Sequence, residues 1–298
     1  MTTKCKRIGS IDILRVVAII LIVAFHCVYS VKPNEILRGF GLIGLSLFFI
    51  ISGYLLAKKY PDLNKFNPKW FLKRFVKIVS FYYPALIALM LVFGRQVYWG
   101  SAFKNILYHF LFIDFISPET RYTITSASWF LIPLIALYLL FPYINALLKK
   151  RPNIFPYIFL MTVIVRIFEP PLTPYALYGF LFFIGEFGFG ILLAQNKKLL
   201  PLTTSFLIIL ASPYMIIPFV LFYFVVSIPV KSHKIISIIG ANTIAIFLFH
   251  EAFIQLIIGK WHIYSLSTIP ALILLSSIAV ILIYFSKSIQ HGLSKIFS

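Results

Sequence analysis

The feature that most constrains the fold of this chain is a succession of apolar runs, each long enough for a helix that crosses a lipid bilayer. Such a helix needs about 20 predominantly apolar residues. The chain has 61% hydrophobic and 12% charged residues and a mean hydropathy of +0.97. A soluble domain of 298 residues cannot bury that much apolar surface. The runs are of helical length and do not alternate as barrel strands do. We therefore predict an all-α, polytopic transmembrane helical bundle.

The apolar runs predict about ten spans. Their approximate boundaries are 11–31, 40–57, 75–94, 128–148, 153–168, 174–194, 199–212, 214–230, 236–258 and 268–288. The seventh and eighth runs divide one apolar stretch that is too long for a single span and is interrupted at Ser212-Pro213.

The basic residues predict the orientation of the chain. The formal net charge is +19, which in a soluble protein would suggest nucleic acid as a partner. Here the bases cluster in every second loop, as in Lys4 to Arg7, Lys58 to Arg74 and Lys149 to Arg151. Cytoplasmic loops of membrane proteins carry such an excess of lysine and arginine. We therefore predict both termini in the cytoplasm, a multi-pass protein of the cell membrane with lipid around it, and no nucleic-acid partner.

Three ionisable residues lie on one stripe of the first span. His26 follows Arg15 by eleven positions, which places the two residues roughly 20° apart around a helix and about 16 Å apart along it. Asp12 precedes Arg15 by one turn on nearly the same side. Ionisable groups inside a membrane are costly and seldom lie there without a partner or a task. The stripe predicts a polar track through the lipid. In the alternative, Asp12 and Arg15 pair at the cytoplasmic end and His26 is a lone core histidine.

A second basic group lies at the start of the third span, where Lys73, Arg74 and Lys77 lie on or near one helical side. At that depth such bases bind either the phosphate head groups of lipids or a phosphorylated cofactor that enters from the cytoplasm. A histidine nearer the outer face, such as His26, suits general-base chemistry at neutral pH.

The longest outer segment, Arg95 to Ala127, contains a stretch from Lys104 to Ile116 that is too short to span a membrane. It predicts an interfacial or re-entrant helix over the mouth of the bundle. The segment either holds an acceptor-binding surface or is a solvated connector. The candidate residues for an acceptor surface are His109, Asp114, Glu119 and Arg121.

The chain resembles the acyltransferase 3 family of membrane O-acyltransferases. The segment IDILRVVAIILIVAFH has the acidic residue, the arginine and, after ten residues, the histidine with which that family begins. The second span, GLSLFFIISGYLLAKKY, is similar to the family's pattern with Phe48, Phe49, Ser52, Gly53 and Tyr54 in place. FLKRFVKI resembles its basic entry to the third span, and SWFLIPLIALYLLFP its tryptophan-led fourth. FLFFIGEFGFGILLA resembles the sixth span, and GANTIAIFLFHEAFI the penultimate one with His250.

The resemblance implies a single transmembrane acyltransferase-like domain over residues 1–298, without an attached soluble domain. It implies acyl-CoA, usually acetyl-CoA, as co-substrate and no metal. Arg15, Arg74, Lys77 and the neighbouring Lys73 would hold the phosphates of acyl-CoA, with Asp12 fixing Arg15. His26 would deprotonate a hydroxyl of an extracytoplasmic glycan or glycolipid, so that a carbohydrate or a lipid-linked sugar is the acceptor.

Three further residues are candidates for contact with the substrate. Ser52 either carries the acyl group or, as a small residue before Gly53, serves close helix packing. Trp129 either contacts a sugar or anchors its span at the interface. His250 either lines the cavity or is a hydrogen-bonded structural residue. A multi-pass transporter is the alternative function, since ionisable residues within spans also suit transport.

Overall fold

The structure is a computed structural model that describes residues 9–31, 35–93, 102–114, 120, 123–125, 128–168, 175–195, 213–231, 233–259 and 267–296. Over these residues the regular structure is entirely helical, which confirms the all-α prediction. The helices are α1 (Gly9–Val31), α2 (Glu35–Lys59), α3 (Pro68–Phe93), α4 (Ala102–Phe110), α5 (Ser128–Lys150), α6 (Phe155–Ile167), α7 (Tyr175–Ala194), α8 (Pro213–Ser227), α9 (Lys234–Ala241), α10 (Thr243–Ile257) and α11 (Thr268–Ile296). A short 3-10 helix, Pro152–Ile154, precedes α6.

Five of the described helices are long and apolar enough to cross a membrane. They are α1, α2 from Gly39, α3, α5 and α11 as far as Gly292. A sixth span results if α9 and α10 together form one. Three further apolar helices are shorter than a span: α6 with the 3-10 helix before it, most of α7 and most of α8. The predicted run 199–212 lies outside the described residues. The number of ten spans and the cytoplasmic termini stay predictions.

The predicted span 236–258 corresponds to two helices, α9 and α10, because the helix breaks at Asn242. The side-chain amide of Asn242 donates to the carbonyl of Ile238 at 2.7 Å, and the hydroxyl of Thr243 donates to the carbonyl of Gly240 at 3.5 Å. Short polar side chains that bind nearby backbone groups compete with the helical ladder. The sequence Gly240-Ala-Asn-Thr243 therefore ends one helix and begins another.

The chain divides into two compact units. Unit 1 consists of residues 1–66, 136–173 and 178–243, and unit 2 of residues 67–135, 174–177 and 244–298. Helices α5 and α7 contribute residues to both units.

Unit 1 is built around α2, which has glycine contacts on two sides. On one side α2 packs against α1, and a Cβ on Gly44 would lie 2.6 Å from the carbonyl oxygen of Ala18. On the other side, a Cβ on Gly53 would overlap the carbonyl of Phe187 in α7, and a Cβ on Gly190 would overlap the carbonyl of Ile50. Small residues permit such close approach of membrane helices. Helix α1 also packs against α8 and α9.

In unit 2, α3 packs against α11, where the Gln290 amide donates to the Ser80 hydroxyl at 2.9 Å. The start of α5 packs against α10 through the rings of Phe130 and Phe247, whose centroids are 4.8 Å apart.

Candidate functional site

Arg15 and His26 lie on the side of α1 that faces the interior of unit 1. Between them along the same stripe, Ala18 and Ile22 are fully buried against α2, and both ionisable residues are themselves half-buried. The opposite side of α1 is exposed, with Ile20 as an example. The polar residues of the predicted stripe therefore lie on the buried side of α1, and the polar track itself stays a prediction.

Asp12 is the most deeply buried of the three, with 2% of its surface exposed. Helix α9 covers it: a Cβ on Gly240 would lie 3.2 Å from the Cα, the backbone oxygen and the Oδ1 atom of Asp12. Only a glycine lets the end of α9 approach this closely without displacing the acid. The start of α1 and the end of α9 therefore form one packed corner of unit 1.

The imidazole of His26 packs edge-on against the ring of Phe25, with centroids 4.8 Å apart. Phe25 in turn lies over Gly41 of α2, since a Cβ there would be 2.7 Å from the ring. The aromatic and glycine contacts fix the orientation of the last third of α1, and so restrict where His26 can point.

The basic group at the start of α3 belongs to unit 2. Lys73 and Lys77, one turn apart, are exposed, and Arg74 between them is half-buried. Lys69 continues the exposed row by one further turn. Guanidinium and ammonium groups in such an arrangement suit the phosphates of a cofactor, because both bind oxyanions by charge-assisted hydrogen bonds.

The remaining predicted residues fall in both units. Ser52 is half-buried in unit 1 beside Gly53, whose contact with α7 is the close packing that one interpretation of Ser52 predicts. Trp129 is half-buried and His250 buried, and both belong to unit 2. The His250 Nδ1 atom lies 2.6 Å from the carbonyl of Phe247, the residue that packs on Phe130 next to Trp129. The ring is therefore oriented by its own helix, with Nδ1 as the donor.

The predicted site residues thus divide between the units. Asp12, Arg15, His26 and Ser52 lie in unit 1, whereas Lys73, Arg74, Lys77, Trp129 and His250 lie in unit 2. The roles of all nine stay predictions. Within the described residues, no group of three or more His, Cys, Asp or Glu side chains is placed to hold a metal ion.

Unit 1 contains a buried ionic cluster that the sequence did not reveal as such. The Arg166 guanidinium donates to Oε1 of Glu186 at 2.6 Å, and the hydroxyl of Ser46 donates to the same oxygen at 3.0 Å. Glu186 has no exposed surface, and its Oε2 atom has no hydrogen-bond partner among the described residues. The sequence carried a signal for this pair: Arg166 and Glu186 have opposite charges and lie in two consecutive predicted spans, and charged residues within spans are usually paired.

The backbone of α7 is engaged beside this cluster. The Thr162 hydroxyl donates to the carbonyl of Leu181 and accepts from the amide of Gly185, both at 3.0 Å. In a regular α-helix the amide of Gly185 would donate directly to the carbonyl of Leu181. Arg166, one turn after Thr162, also donates to the carbonyl of Phe182. Side chains of α6 are therefore inserted into the hydrogen-bond ladder of α7.

The segment between α3 and α5 holds a second buried polar cluster, in unit 2. His109 and Asp114 have no exposed surface, so neither belongs to an acceptor-binding surface or to a solvated connector. The Ser128 hydroxyl donates to Oδ2 of Asp114 at 2.7 Å, and His109 Nδ1 lies 3.7 Å from the same oxygen. The carboxylate lies between the hydroxyl and the imidazole, an order that does not suit activation of Ser128 by His109. Glu119 and Arg121 lie outside the described residues.

The apolar helices of membrane-spanning length indicate an integral membrane protein, and α1 carries one buried and two half-buried ionisable residues. A family model described as an acyltransferase domain, that of the acyltransferase 3 family, matches residues 8–230. The match covers more than half of the chain, which therefore belongs to the acyltransferase 3 family. This membership supports an acyltransferase over a transporter. No curated protein and no solved structure matched the chain.

Proposed function

We propose that this protein transfers an acyl group, in our proposal acetyl, from cytoplasmic acyl-CoA to a hydroxyl of an extracytoplasmic glycan or glycolipid, in the cell membrane. The observation that carries the proposal is the placement of Arg15 and His26 on the buried side of α1 in a chain of the acyltransferase 3 family. A basic residue near the start of a span and a histidine further along it supply one group for a phosphorylated donor and one for a hydroxyl acceptor.

On the donor side, Arg15 binds a phosphate of acyl-CoA, and Lys73, Arg74 and Lys77 bind the others. The exposure of the two lysines supports this assignment, because phosphates that arrive from solvent can reach them. Asp12 orients Arg15 by charge pairing, and its burial under Gly240 supports a fixed position for that acid. The pantetheine arm then extends along α1 over the distance of about 16 Å that separates Arg15 from His26.

In the chemical step, His26 accepts the proton of the acceptor hydroxyl while the hydroxyl oxygen attacks the thioester carbonyl carbon. The C–O bond forms and the C–S bond breaks. The imidazolium returns the proton to the departing thiolate, so that the products are the O-acylated acceptor and CoA. Holding both substrates against one imidazole supplies the proximity on which such a transfer depends. Trp129, His250 and Ser52 are proposed to contact the substrates.

The test is His26→Gln, which keeps a polar side chain of comparable size but removes the base. Purified protein in proteoliposomes receives acetyl-CoA on one side and glycan or glycolipid acceptors on the other, and acceptor-dependent release of CoA is measured. We expect release to fall to background in H26Q. The matched control is His291→Gln, an exposed histidine of α11, which should retain full release. Full release by H26Q would reject His26 as the base.

A second measurement addresses the donor. Radiolabelled acetyl-CoA should bind the unmodified protein, and Arg15→Ala should weaken that binding. A protein that binds no acetyl-CoA even without substitution would reject the whole proposal, and would restore the transporter as the better interpretation.

A further inference from the structure

Helix α4 has the reverse of the polarity expected for a helix on a water-soluble surface. Its polar side chains Asn105 and His109 are buried. An apolar stripe at a spacing of four residues is turned outward: Phe103 is 78% exposed, Leu107 40%, and Leu111, in the turn after the helix, 55%. A surface helix in water presents its polar face to solvent and buries its apolar stripe. The arrangement of α4 is stable only where an apolar medium covers that stripe.

The end of α4 lies beside α3 and not beyond the end of it. Tyr82 of α3 donates to the carbonyl of His109, and Tyr83 donates to the carbonyl of Phe110, both at 3.1 Å. The ring of Phe112 reaches further back, to 6.1 Å from that of Phe75. Helix α3 continues for ten residues after Tyr83, about 15 Å, before it ends at Phe93. The turn after α4 is therefore level with the middle of a membrane-spanning helix.

The outer half of α3 indicates the medium at this level. Ile87 and Leu91, one turn apart and beyond Tyr83, are 45% and 70% exposed. Exposed aliphatic residues in the second half of a membrane-spanning helix face hydrocarbon. At the start of α4, the Lys104 ammonium lies over the ring of Tyr108 at 5.5 Å. Lysine and tyrosine beside an apolar stripe are typical of the level of lipid head groups.

We propose that α4 and its following turn are embedded in the membrane, with Phe103, Leu107 and Leu111 in contact with lipid acyl chains. The backbone after the helix is irregular, and Phe112 has a positive φ of 58°. Irregular backbone at membrane depth requires internal partners. The hydroxyls of Tyr82, Tyr83 and Thr120 supply such partners, since they donate to the carbonyls of His109, Phe110 and Asp114. The polar side of α4 therefore faces the protein, and its apolar side faces lipid. This inference is independent of the proposed acyl transfer.

The test places a fluorescent probe on the stripe. In protein carrying C5S and C27S, Leu107→Cys is labelled with an NBD fluorophore, and the full chain is reconstituted in phosphatidylcholine vesicles. One set of vesicles contains doxyl-labelled phosphatidylcholine, and a second set receives aqueous iodide. The lipid control is Leu91→Cys on α3. The water control is Asp62→Cys, in a loop where that side chain is 87% exposed.

We expect the doxyl lipid to quench the probe at Leu107→Cys as strongly as the probe at Leu91→Cys, and iodide to quench it several-fold less than the probe at Asp62→Cys. Iodide quenching equal to that at Asp62→Cys would place α4 in water and overturn the inference. Quenching by neither agent would place the stripe against protein, such as a second copy of this chain, and would overturn it as well. Phe103→Cys repeats the test at the most exposed residue of the stripe, where a substitution least affects folding.

Discussion

The guanidinium of Arg166 lies 2.6 Å from Oε1 of Glu186, and the two residues connect α6 and α7 inside unit 1. The ring of Phe183 lies 5.2 Å from the guanidinium carbon and stacks on Phe49 of α2 at 4.1 Å. The cluster therefore joins a charge pair to an aromatic stack that reaches a third helix. Charges in such a position are costly to leave without a partner, which makes the pair a sensitive point of the fold.

Replacing one member of the pair should destabilise the protein more than replacing both. Arg166→Met leaves the buried carboxylate of Glu186 without its counter-ion, at a cost of about 3–5 kcal/mol. The double variant R166M/E186M removes both charges and should recover much of that loss. Thermal unfolding in detergent measures the coupling. Additive effects of R166M and E186M would show that the two charges do not stabilise each other.

Gly53 should tolerate no side chain. A Cβ there overlaps the carbonyl of Phe187, and backbone atoms cannot move aside as a flexible side chain can. Overpacking costs about 1–3 kcal/mol in ordinary cores, and we expect Gly53→Ala to exceed that range and to reduce the yield of folded protein. Gly292→Ala is the control, because open space surrounds it and alanine favours the helix by about 1 kcal/mol. Equal yields and melting temperatures for the two variants would contradict the close contact.

Gly240→Ala should affect the donor side without unfolding the chain. The added methyl group lies 3.2 Å from three atoms of Asp12 and displaces the acid by a few tenths of an ångström. If Asp12 orients Arg15, the KM for acyl-CoA should rise several-fold while the KM for the acceptor stays unchanged. Steady-state kinetics with each substrate varied in turn measure the two constants. If Gly240→Ala leaves the KM for acyl-CoA unchanged and melts close to the temperature of Gly292→Ala, then Asp12 does not contribute to donor binding.

Ser128→Ala should loosen the segment between α3 and α5. The variant removes the hydroxyl that donates to Asp114 at 2.7 Å and leaves a buried carboxylate oxygen with one donor fewer, which costs about 1–3 kcal/mol. Limited proteolysis in detergent should then cleave the region between residues 102 and 125 faster. Ser276→Ala is the matched serine control, since that exposed hydroxyl donates to the carbonyl of Leu272 in its own helix. Equal cleavage rates in both variants would exclude Ser128 as an anchor of this segment.

Helix positions were the most predictable part of the fold, because apolar run length directly reports the length of a membrane-buried helix. The runs 11–31, 128–148 and 268–288 correspond to α1, α5 and α11 to within a few residues at each start. The break at Asn242 was not predictable from hydropathy, since the neighbouring residues remain apolar and the break depends on side-chain bonds to two carbonyls. Local polar chemistry overrides the apolar pattern there.

The surroundings of the polar residues were less predictable than the helices. Arg166 and Glu186 lie in consecutive predicted spans, so their pairing was open to inference, but the third partner Ser46 comes from a distant part of the sequence. His109 and Asp114 belong to a segment for which the sequence left open an acceptor-binding surface or a solvated connector. They are buried by contacts with Tyr82 and Ser128, which lie 27 and 14 positions away in the sequence. The local sequence pattern carries no information about such contacts.

The contact between Gly240 and Asp12 also bears on how this enzyme can be shortened. The stretch that defines family membership stops at residue 230, and α9 starts at Lys234. A variant truncated after residue 230 would keep every motif of the first two spans. It would lack α9, however, so that Asp12 at the start of α1 would lose its contact with Gly240 and become exposed. A fragment that keeps this contact between Gly240 and Asp12 must therefore include α9.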